Sequence, residues 1–322
     1  MKVVIIGAGS MGSLFGARLA SKGEEVWLVD IWEEHIDSIN QNGLTLKDRT
    51  SGKEEVISTY PRAVLDAKDI GNKEDIDLVI IFVKSYDTEA AVKKAKDIIG
   101  KKTQILTLQN GVGNGEILEK YVLPEKIIIG TTEQGGLIES PGVVVHMADR
   151  PTNIGFYDTS PDNAPIEEIK ESFVNAGLET NIIEDVMSLV WSKLIVNVGF
   201  NAPTAITRLR NKDFLKIPES NEVIRMCINE AIQVCEAKGV NLAFDTDDIP
   251  GYIIHLGSTI YYHHRLSMCQ DVVNKRRTEV EFINGAVVRE GKRLNIPTPA
   301  NVVITNLIKI IENNYEIYRQ ED

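Results

Sequence analysis

The chain has 322 residues and a formal net charge of −12 at pH 7. This length suits two domains with a core each, and the acidic balance argues against a nucleic-acid partner because no basic excess exists to neutralise phosphates. Three cysteines without a CxxC pair indicate a reducing compartment, and no apolar run approaches the roughly 20 residues of a membrane span. Residues 1–6 read as a strand rather than a targeting segment, so we expect a cytoplasmic protein without a membrane partner.

The first predicted elements are a buried strand at residues 2–6, a glycine-rich turn and a helix. In a dinucleotide-binding turn, the first glycine allows the tight bend, the second lets the backbone approach a pyrophosphate, and the third lets helix and strand pack closely. Its place directly after a strand favours a dinucleotide site over a merely structural turn. The predicted cofactor-binding residues of this turn are Gly7, Ala8, Gly9, Ser10, Met11 and Gly12.

The second predicted strand, residues 25–29, ends at Asp30. A carboxylate at this point accepts hydrogen bonds from the adenosine ribose and repels a 2′-phosphate, which favours NAD(H) while leaving NADP(H) possible. The alternative is that Asp30 caps a helix that begins near Trp32.

Polar residues also follow two later strands of the predicted parallel sheet. The apolar run that opens at Asp77 ends in Lys84, and the strand at 104–108 is followed by Asn110. Ligands bind beyond the carboxyl ends of such strands, so Lys84 is placed to meet the anionic side of the cofactor, and Asn110 to contact a ligand. The alternatives are a surface lysine and an asparagine that caps a turn.

The rest of the pattern gives the domain organisation. Residues 44–60 predict an irregular edge element, and strands on either side of a turn at 140–142 are followed by a helix at 164–176 and a strand at 179–183. Helices are predicted next at 219–238, 247–262, 270–291 and 299–318. The predicted fold class is therefore α/β, with an N-terminal Rossmann-type dinucleotide-binding domain (1–186) followed by an all-helical C-terminal substrate-binding and catalytic domain (187–322).

The helix over residues 191–204, WSKLIVNVGFNAPT, carries three polar residues in an apolar background. Lys193, Asn197 and Asn201 are spaced i, i+4 and i+8, so they share one face of the helix. Three aligned polar groups favour the lining of a ligand site. The alternative for Lys193 is a side chain whose stem packs on apolar surface while its ammonium reaches water.

Several separated blocks of the sequence resemble one family. The chain contains GAGSMG, VKSYDT, LQNGVG, WSKLIVNVGFNAPTA and HHRLSMCQDVVNKRRTEVEFINGAVVREGKRLNIPTPAN in that order. This set strongly resembles the ketopantoate reductase (2-dehydropantoate 2-reductase) family, from the first strand to about residue 310. The resemblance implies a Rossmann domain, a helical domain, and the reduction of ketopantoate to (R)-pantoate on the way to pantothenate and coenzyme A.

The resemblance also implies roles for individual residues. Lys193 resembles the catalytic lysine of the family, and Glu279 the carboxylate that holds the substrate hydroxyl and also contacts the cofactor. The implied substrate-binding residues are Asn110, Asn197, Asn201 and Ser267, with Asn110 at the junction of cofactor and substrate and Lys84 in the cofactor loop. Family members that use NADPH commonly have a basic residue where this chain has Asp30, and this departure bears on the cofactor and, less directly, on the substrate.

The chemistry of such a reduction agrees with these residue types. A developing alkoxide needs a proton donor or a positive charge within hydrogen-bond reach, which Lys193 supplies. The five histidines show no ligand pattern, no HExxH or Cys/His spacing exists, and a metal is not expected. The expected partner is a small 2-oxo acid, and a homodimer is possible.

Three other functions compete with this interpretation. An NAD-dependent D-2-hydroxyacid dehydrogenase on the same scaffold would reduce other 2-oxo acids. A β-hydroxyacid dehydrogenase also has a helical Lys-x-x-x-Asn, but lacks the SMxQD and TExxxxNG blocks of this chain. A non-catalytic NAD(H) sensor would have no need for Lys193, Glu279 and Ser267.

Overall fold

The computed structural model describes residues 1–71, 75–158, 163–259 and 265–317. The chain divides into two compact units, the first formed by Met1–Gln109 and Asn114–Val186, the second by Asn110–Gly113 and Met187–Asp322. The short turn at 110–113 therefore packs with the helical part of the chain. No helix within the described ranges is long and apolar enough to cross a membrane.

The first unit contains two β-sheets and the helices that cover them. Its strands are β1 (Lys2–Ile6), β2 (Glu25–Val29), β3 (Leu44–Asp48), β4 (Glu55–Thr59), β5 (Arg62–Val64), β6 (Leu78–Ile81), β7 (Gln104–Thr107), β8 (Ile127–Thr132), β9 (Gly135–Ser140), β10 (Val143–Ala148), β11 (Thr152–Phe156) and β12 (Thr180–Ile182). Its helices are α1 (Ser10–Ala20), α2 (Glu33–Asn42), α3 (Thr88–Ala95), α4 (Asn114–Leu118) and α5 (Ala164–Asn175).

The larger sheet has the strand order β12-β11-β8-β7-β6-β1-β2-β5 among the described residues. From β5 across to β8 all neighbours are parallel, and β11 pairs antiparallel with β8. The chain leaves β1 towards β2 and later returns to the other side through β6, so β1 and β6 flank the point where the strand order reverses. Ligands bind at such a point in open parallel sheets. The predicted Rossmann-type fold class is confirmed.

The smaller sheet corrects one prediction. Residues 44–60, predicted as an irregular edge element, instead form the antiparallel pair β3 and β4, and β3 continues in parallel with β10. Leu44 and Leu46 are fully buried while the residues between and after them are not, which is the alternation of a half-buried strand. Helix α1 contacts β2 of the larger sheet and β3, β4, β9 and β10 of the smaller sheet.

Among the described residues, the regular secondary structure of the second unit consists of helices alone. Its helices are α6 (Val186–Thr207), α7 (Asn211–Phe214), α8 (Pro218–Lys238), α9 (Ile249–Thr259), α10 (Ser267–Val273), α11 (Asn284–Leu294) and α12 (Pro299–Ile317). The end of the helix predicted at 247–262 lies outside the described residues. Cys227 and Cys235 lie on the buried side of α8, where burial raises the pKa of each thiol to about 12.

The helix predicted at 270–291 is wrong, because α10 stops at Val273 and α11 begins at Asn284. Lys275 adopts a left-handed conformation with φ of 53°. The backbone N–H of Lys275 donates to the carbonyl of Val272, and that of Arg276 to the carbonyl of Asp271. These two bonds form a Schellman C-cap, which glycine most often makes. Because this position holds a lysine rather than a glycine, the end of the helix could not be predicted from the sequence.

Candidate active site

The glycine turn is shaped by two close approaches and one open position. Gly7 has a φ of 99°, and a Cβ added to it would lie 2.6 Å from the backbone nitrogen of Val83. A Cβ on Gly12 would lie 1.9 Å from the carbonyl oxygen of Gly7, whereas a Cβ on Gly9 would meet nothing within 4 Å. At Gly7 and Gly12 a side chain would clash with the protein backbone, whereas the space beside Gly9 is open to a ligand.

The start of α1 suits an anionic group. Gly9 is exposed and precedes the first helical residue, Ser10, and the first turn of α1 contains no acidic residue. The N-terminal end of a helix presents backbone N–H groups and a positive dipole to a phosphate. Ser10 and Met11 are partly exposed, whereas Ala8 is fully buried. The turn therefore fits the pyrophosphate of a dinucleotide.

Asp30 follows β2 directly and is partly exposed. One of its carboxylate oxygens, Oδ1, accepts a hydrogen bond of 3.0 Å from the backbone N–H of Trp32. Helix α2 begins at Glu33, and its N-cap residue is Trp32, which makes no side-chain cap. Asp30 is therefore not the N-cap of α2, and the bond from Trp32 orients its carboxylate at the end of the strand.

Lys84 lies three residues after β6, which pairs with β1. It is partly exposed and has an extended backbone. The contact between Gly7 and Val83 places the residue before Lys84 directly against the glycine turn. Lys84 therefore extends from the same edge of the sheet as the glycine turn.

A polar cluster that the sequence analysis missed supports this edge. Gln109 donates from Nε2 to the carbonyl of Val83 at 2.6 Å and lies 2.9 Å from the hydroxyl of Thr88. The Thr88 hydroxyl also lies 3.1 Å from Oδ1 of the buried Asn114. These bonds tie the segment after β6 to the segment after β7. Their members are separated by more than 20 residues in the chain, so spacing alone gave no signal.

Helix α6 in the second unit places its polar residues unequally. Lys193 and Asn197 lie on the partly exposed side of the helix, while Leu194 and Val198 are buried in the core. Asn201, one turn further on, is only 4% exposed. On the common face predicted for the three residues, Lys193 and Asn197 are therefore accessible to a ligand, whereas Asn201 is buried.

The turn that contains Asn110 is fixed to the segment that contains Glu279. The backbone N–H of Val112 donates to the carbonyl of Phe282 at 2.9 Å. Gly111 has a φ of 87°, and a Cβ on it would lie 2.3 Å from the same carbonyl oxygen. Glu279, three residues before Phe282, is 8% exposed. The structure therefore brings the Asn110 turn and the Glu279 segment together within the second unit.

A buried amide network connects the Glu279 segment to α6. Asn284 is fully buried and donates from Nδ2 to the carbonyl of Val198 at 3.2 Å and to Oδ1 of Asn301 at 3.0 Å. Asn301 donates in turn to Glu230 at 2.7 Å. Pro203 lies inside α6, and because it has no N–H it cannot make the usual helical bond to the carbonyl of Gly199, the residue after Val198. Asn284 and Asn301 were not predicted as site residues, because a lone asparagine in an apolar helix does not reveal its partner.

Ser267 is the first residue of α10 and is exposed, while the following Met268 and Cys269 are buried. A main-chain bond thus joins the turn at 110–113 to the segment that contains Glu279, and the Asn284 side chain joins this segment to α6, while Ser267 lies at an exposed helix start. Among the described residues, no group of three or more His, Cys, Asp or Glu side chains is arranged to hold a metal ion.

The two fully buried histidines of the first unit both have polar partners. His146 lies 3.0 Å from Nη2 of Arg18 and 2.6 Å from Oε1 of Gln134. His35 lies between Ser13 and the backbone of Gly142, at 3.0 Å from each. Burial lowers the pKa of both histidines, so both imidazoles are neutral.

A parallel sheet with a glycine turn after β1, followed in the chain by a helical unit that carries Lys193 and Glu279, defines a class of oxidoreductases that use a nicotinamide dinucleotide. Family models agree with this class along the chain. Residues 3–159 match the model described as Ketopantoate reductase PanE/ApbA, and residues 185–312 match its C-terminal counterpart. The chain belongs to the ketopantoate reductase family.

Individual relatives cover almost the whole chain. It is 35% identical to the 2-dehydropantoate 2-reductase of Pyrococcus horikoshii, over 97% of this chain and 98% of the relative. It is 31% identical to the enzyme of the same name from Halobacterium salinarum, over 98% of this chain and 100% of the relative.

Solved structures are similar over the same length. A ternary structure of D-mandelate dehydrogenase with NADH and anilino(oxo)acetate has a TM-score of 0.88 at 29% identity and covers 98% of this chain and 99% of its own. The ketopantoate reductase of Ralstonia eutropha has a TM-score of 0.87 at 30% identity, with coverage of 98% and 100%.

Proposed function

We propose that this protein reduces 2-dehydropantoate (ketopantoate) to (R)-pantoate with NAD(P)H, in the biosynthesis of pantothenate and coenzyme A, and that it prefers NADH. The observation that carries the proposal is the match to relatives named 2-dehydropantoate 2-reductase, at 31 and 35% identity over 97% or more of this chain. The three buried, unpaired cysteines agree with a reducing compartment such as the cytoplasm.

The proposed cofactor site uses the backbone of the glycine turn. Gly9 and the first turn of α1 would bind the pyrophosphate, because the space beside Gly9 is open and no acidic residue opposes an anion there. Ser10, Met11 and Lys84 would line the same edge, and Asn110 and Glu279 would contact the nicotinamide side. When bound, the reduced nicotinamide supplies a hydride to the keto carbon of the substrate.

Lys193 and Glu279 are the proposed catalytic residues. As the keto carbon is reduced, its oxygen gains negative charge, and the Lys193 ammonium donates the proton that converts it to the hydroxyl. The Glu279 carboxylate, which is largely removed from water, accepts a hydrogen bond from a substrate hydroxyl and so orients the keto group. Asn110, Asn197, Asn201 and Ser267 are proposed to bind the rest of the substrate, including its carboxylate.

The NADH preference is proposed from Asp30. Its Oδ1 is oriented by the N–H of Trp32, and a carboxylate in this position can also accept hydrogen bonds from the ribose hydroxyls. The same charge would repel the 2′-phosphate of NADPH. Two of the structurally similar D-mandelate dehydrogenase structures contain NADH, which agrees with this choice.

A second candidate is an NAD-dependent D-2-hydroxyacid dehydrogenase that reduces other 2-oxo acids. The observation that favours it is the TM-score of 0.88 with D-mandelate dehydrogenase, at an identity close to that of the ketopantoate reductase structure. The two candidates share the scaffold and the proton donor, and they differ in the side chain of the 2-oxo acid.

A matrix of initial rates on the purified protein separates the two candidates. Ketopantoate, 2-oxoisovalerate and phenylglyoxylate are each tested with NADH and with NADPH, and kcat/KM is compared. We expect the highest value for ketopantoate with NADH. A ketopantoate value below those of both other acids would overturn the first candidate in favour of the second, and a higher value with NADPH would overturn the cofactor preference alone.

A further inference from the structure

Neither the proposed catalysis nor the formation of α2 requires a histidine at position 35. It is the third residue of α2, is fully buried, and packs its ring against the exposed Trp32 with 4.9 Å between ring centroids. A buried imidazole needs partners for both of its nitrogens. In this protein those partners belong to two distant segments, the turn between β9 and β10 and the helix that follows the glycine turn.

The protonation state of His35 follows from its partners. The backbone N–H of Gly142 donates to Nδ1 at 3.0 Å, so Nδ1 is an acceptor and carries no proton. In a neutral imidazole the proton then lies on Nε2, which donates to the hydroxyl oxygen of Ser13 at 3.0 Å. Burial lowers the pKa of His35 more than the charge of Asp30 and a hydrogen bond with the Ala8 backbone raise it, which favours this neutral form.

Ser13 connects His35 to the glycine turn through a second hydrogen bond. Its hydroxyl donates to the carbonyl oxygen of Ala8 at 2.7 Å. A serine hydroxyl has one proton to donate, so the bond from His35 and the bond to Ala8 define a single direction from Gly142 to Ala8. The carbonyl of Ala8 is thereby held towards the protein interior.

The held carbonyl determines where the next N–H points. Ala8 and Gly9 share one planar peptide unit, in which the carbonyl and the N–H point in opposite directions. When the Ala8 oxygen is fixed towards Ser13, the N–H of Gly9 is directed away from Ser13. Gly9 is exposed, and a Cβ added to it would meet nothing within 4 Å.

We propose that Ser13 and His35 are positioning residues that orient the Ala8–Gly9 peptide, so that its N–H can bind the pyrophosphate of the dinucleotide. This inference rests on the proposed function only in requiring that the glycine turn binds a dinucleotide. Neither residue touches the ligand: Ser13 and His35 act through the peptide that does. Loss of the chain of bonds should therefore weaken dinucleotide binding more than it slows turnover at saturation.

His146 offers a matched control for His35. It is also fully buried in the first unit, and burial lowers its pKa as well. Its partners are the side chains of Arg18, Asp48 and Gln134 and the carbonyl of Ala148, and none of these bonds reaches the glycine turn. A general loss of packing in this unit should appear when either histidine is replaced. Loss of the orientation of the Ala8–Gly9 peptide should appear only when His35 is replaced.

The test measures the dissociation constant of NADH by fluorescence titration of the purified full-length chain, together with Tm. Ser13→Ala and His35→Asn should each raise the Kd about tenfold, since each leaves a buried bond unmade. His35→Gln should stay within about threefold of wild type, because its Nε2 can still donate to Ser13. The double variant Ser13→Ala/His35→Asn should resemble either single variant, since both changes break one chain of bonds.

His146→Asn should lower Tm and leave the Kd for NADH within about twofold of wild type, and kcat of the Ser13 and His35 variants should change less than their KM for NADH. If wild type binds NADH but Ser13→Ala and His35→Asn do so within twofold of it, the inference is overturned and the proposed function stands. Equal weakening by His146→Asn would also overturn it. Failure of wild type to bind either NADH or NADPH would overturn the proposed function together with this inference.

Discussion

The contrast between Gly12 and Gly9 gives the sharpest test of the glycine turn. In Gly12→Ala the new Cβ would lie 1.9 Å from the carbonyl oxygen of Gly7, and this oxygen belongs to backbone that cannot rotate away. The turn must therefore shift by more than 1 Å, since real Cβ atoms essentially never come within 3.0 Å of another heavy atom. Overpacking of this kind costs up to about 3 kcal/mol.

The helical position of Gly12 offsets part of this cost. Alanine is favoured over glycine inside a helix by about 1 kcal/mol, which leaves a net destabilisation of about 2 kcal/mol. For a unit of this size we expect a fall in Tm of roughly 4–8 °C. The displaced turn should also bind NADH at least about tenfold more weakly, because its N–H groups no longer converge on the pyrophosphate.

Gly9→Ala is the matched control, because its Cβ would meet nothing within 4 Å and its φ of −65° is allowed for alanine. It should leave Tm within about 2 °C of wild type and still weaken NADH binding, since the methyl group fills the space proposed for the pyrophosphate. Differential scanning fluorimetry and NADH titration measure the two effects separately. An unchanged Tm for Gly12→Ala would refute the geometric argument, and an unchanged Kd for Gly9→Ala would refute the location of the pyrophosphate.

Three further predictions concern the proton donor, the cofactor and acid stability. Lys193→Ala should lower kcat roughly 10²-fold or more with an unchanged far-UV spectrum; near-full activity in steady-state assays would contradict its catalytic role. Asp30→Ala should shift the NADH/NADPH ratio of kcat/KM about tenfold towards NADPH, and a constant ratio would show that the carboxylate does not face the ribose. Burial lowers the pKa of His35 and His146, so the unfolded state binds more protons than the folded state once the pH drops below about 6.5. The free energy of unfolding, from urea titrations between pH 7.5 and 5, should therefore fall with pH by up to about 1.4 kcal/mol per pH unit for each histidine. His146→Asn should show a smaller slope, and an equal slope would refute this assignment.

Local patterns were sufficient to predict the parts of the fold whose causes are local. The strand, glycine turn and helix at the start of the chain follow one another within 20 residues, and each glycine has a distinct steric reason. The hairpin around 140–142 was predicted for the same reason, since its turn residues are adjacent. The parallel pairing of β3 with β10 depends on residues far apart in the chain, and the alternation of Leu44 and Leu46 was too short to reveal it.

The hydrogen bonds that support the candidate site could not be predicted from the sequence, for a related reason. Asn284 reaches the carbonyl of Val198 across 86 positions, and Gln109 reaches that of Val83 across 26. A single polar residue in an apolar segment shows that a partner is needed but does not identify it. Lys193, Asn197 and Asn201 could be selected as candidate site residues because they repeat with the helical period on one element.

The bond between Gly142 and His35 also has a consequence for the order of folding. It joins residues 107 positions apart, and β10 pairs with β3 over a similar separation. Contacts between such distant residues are slow to form because a long loop must close first. The glycine turn can form locally, but its Ser13 and His35 support is complete only when the β9–β10 hairpin has docked. We therefore expect NADH to protect the protein mainly by slowing its unfolding, with little effect on its folding rate.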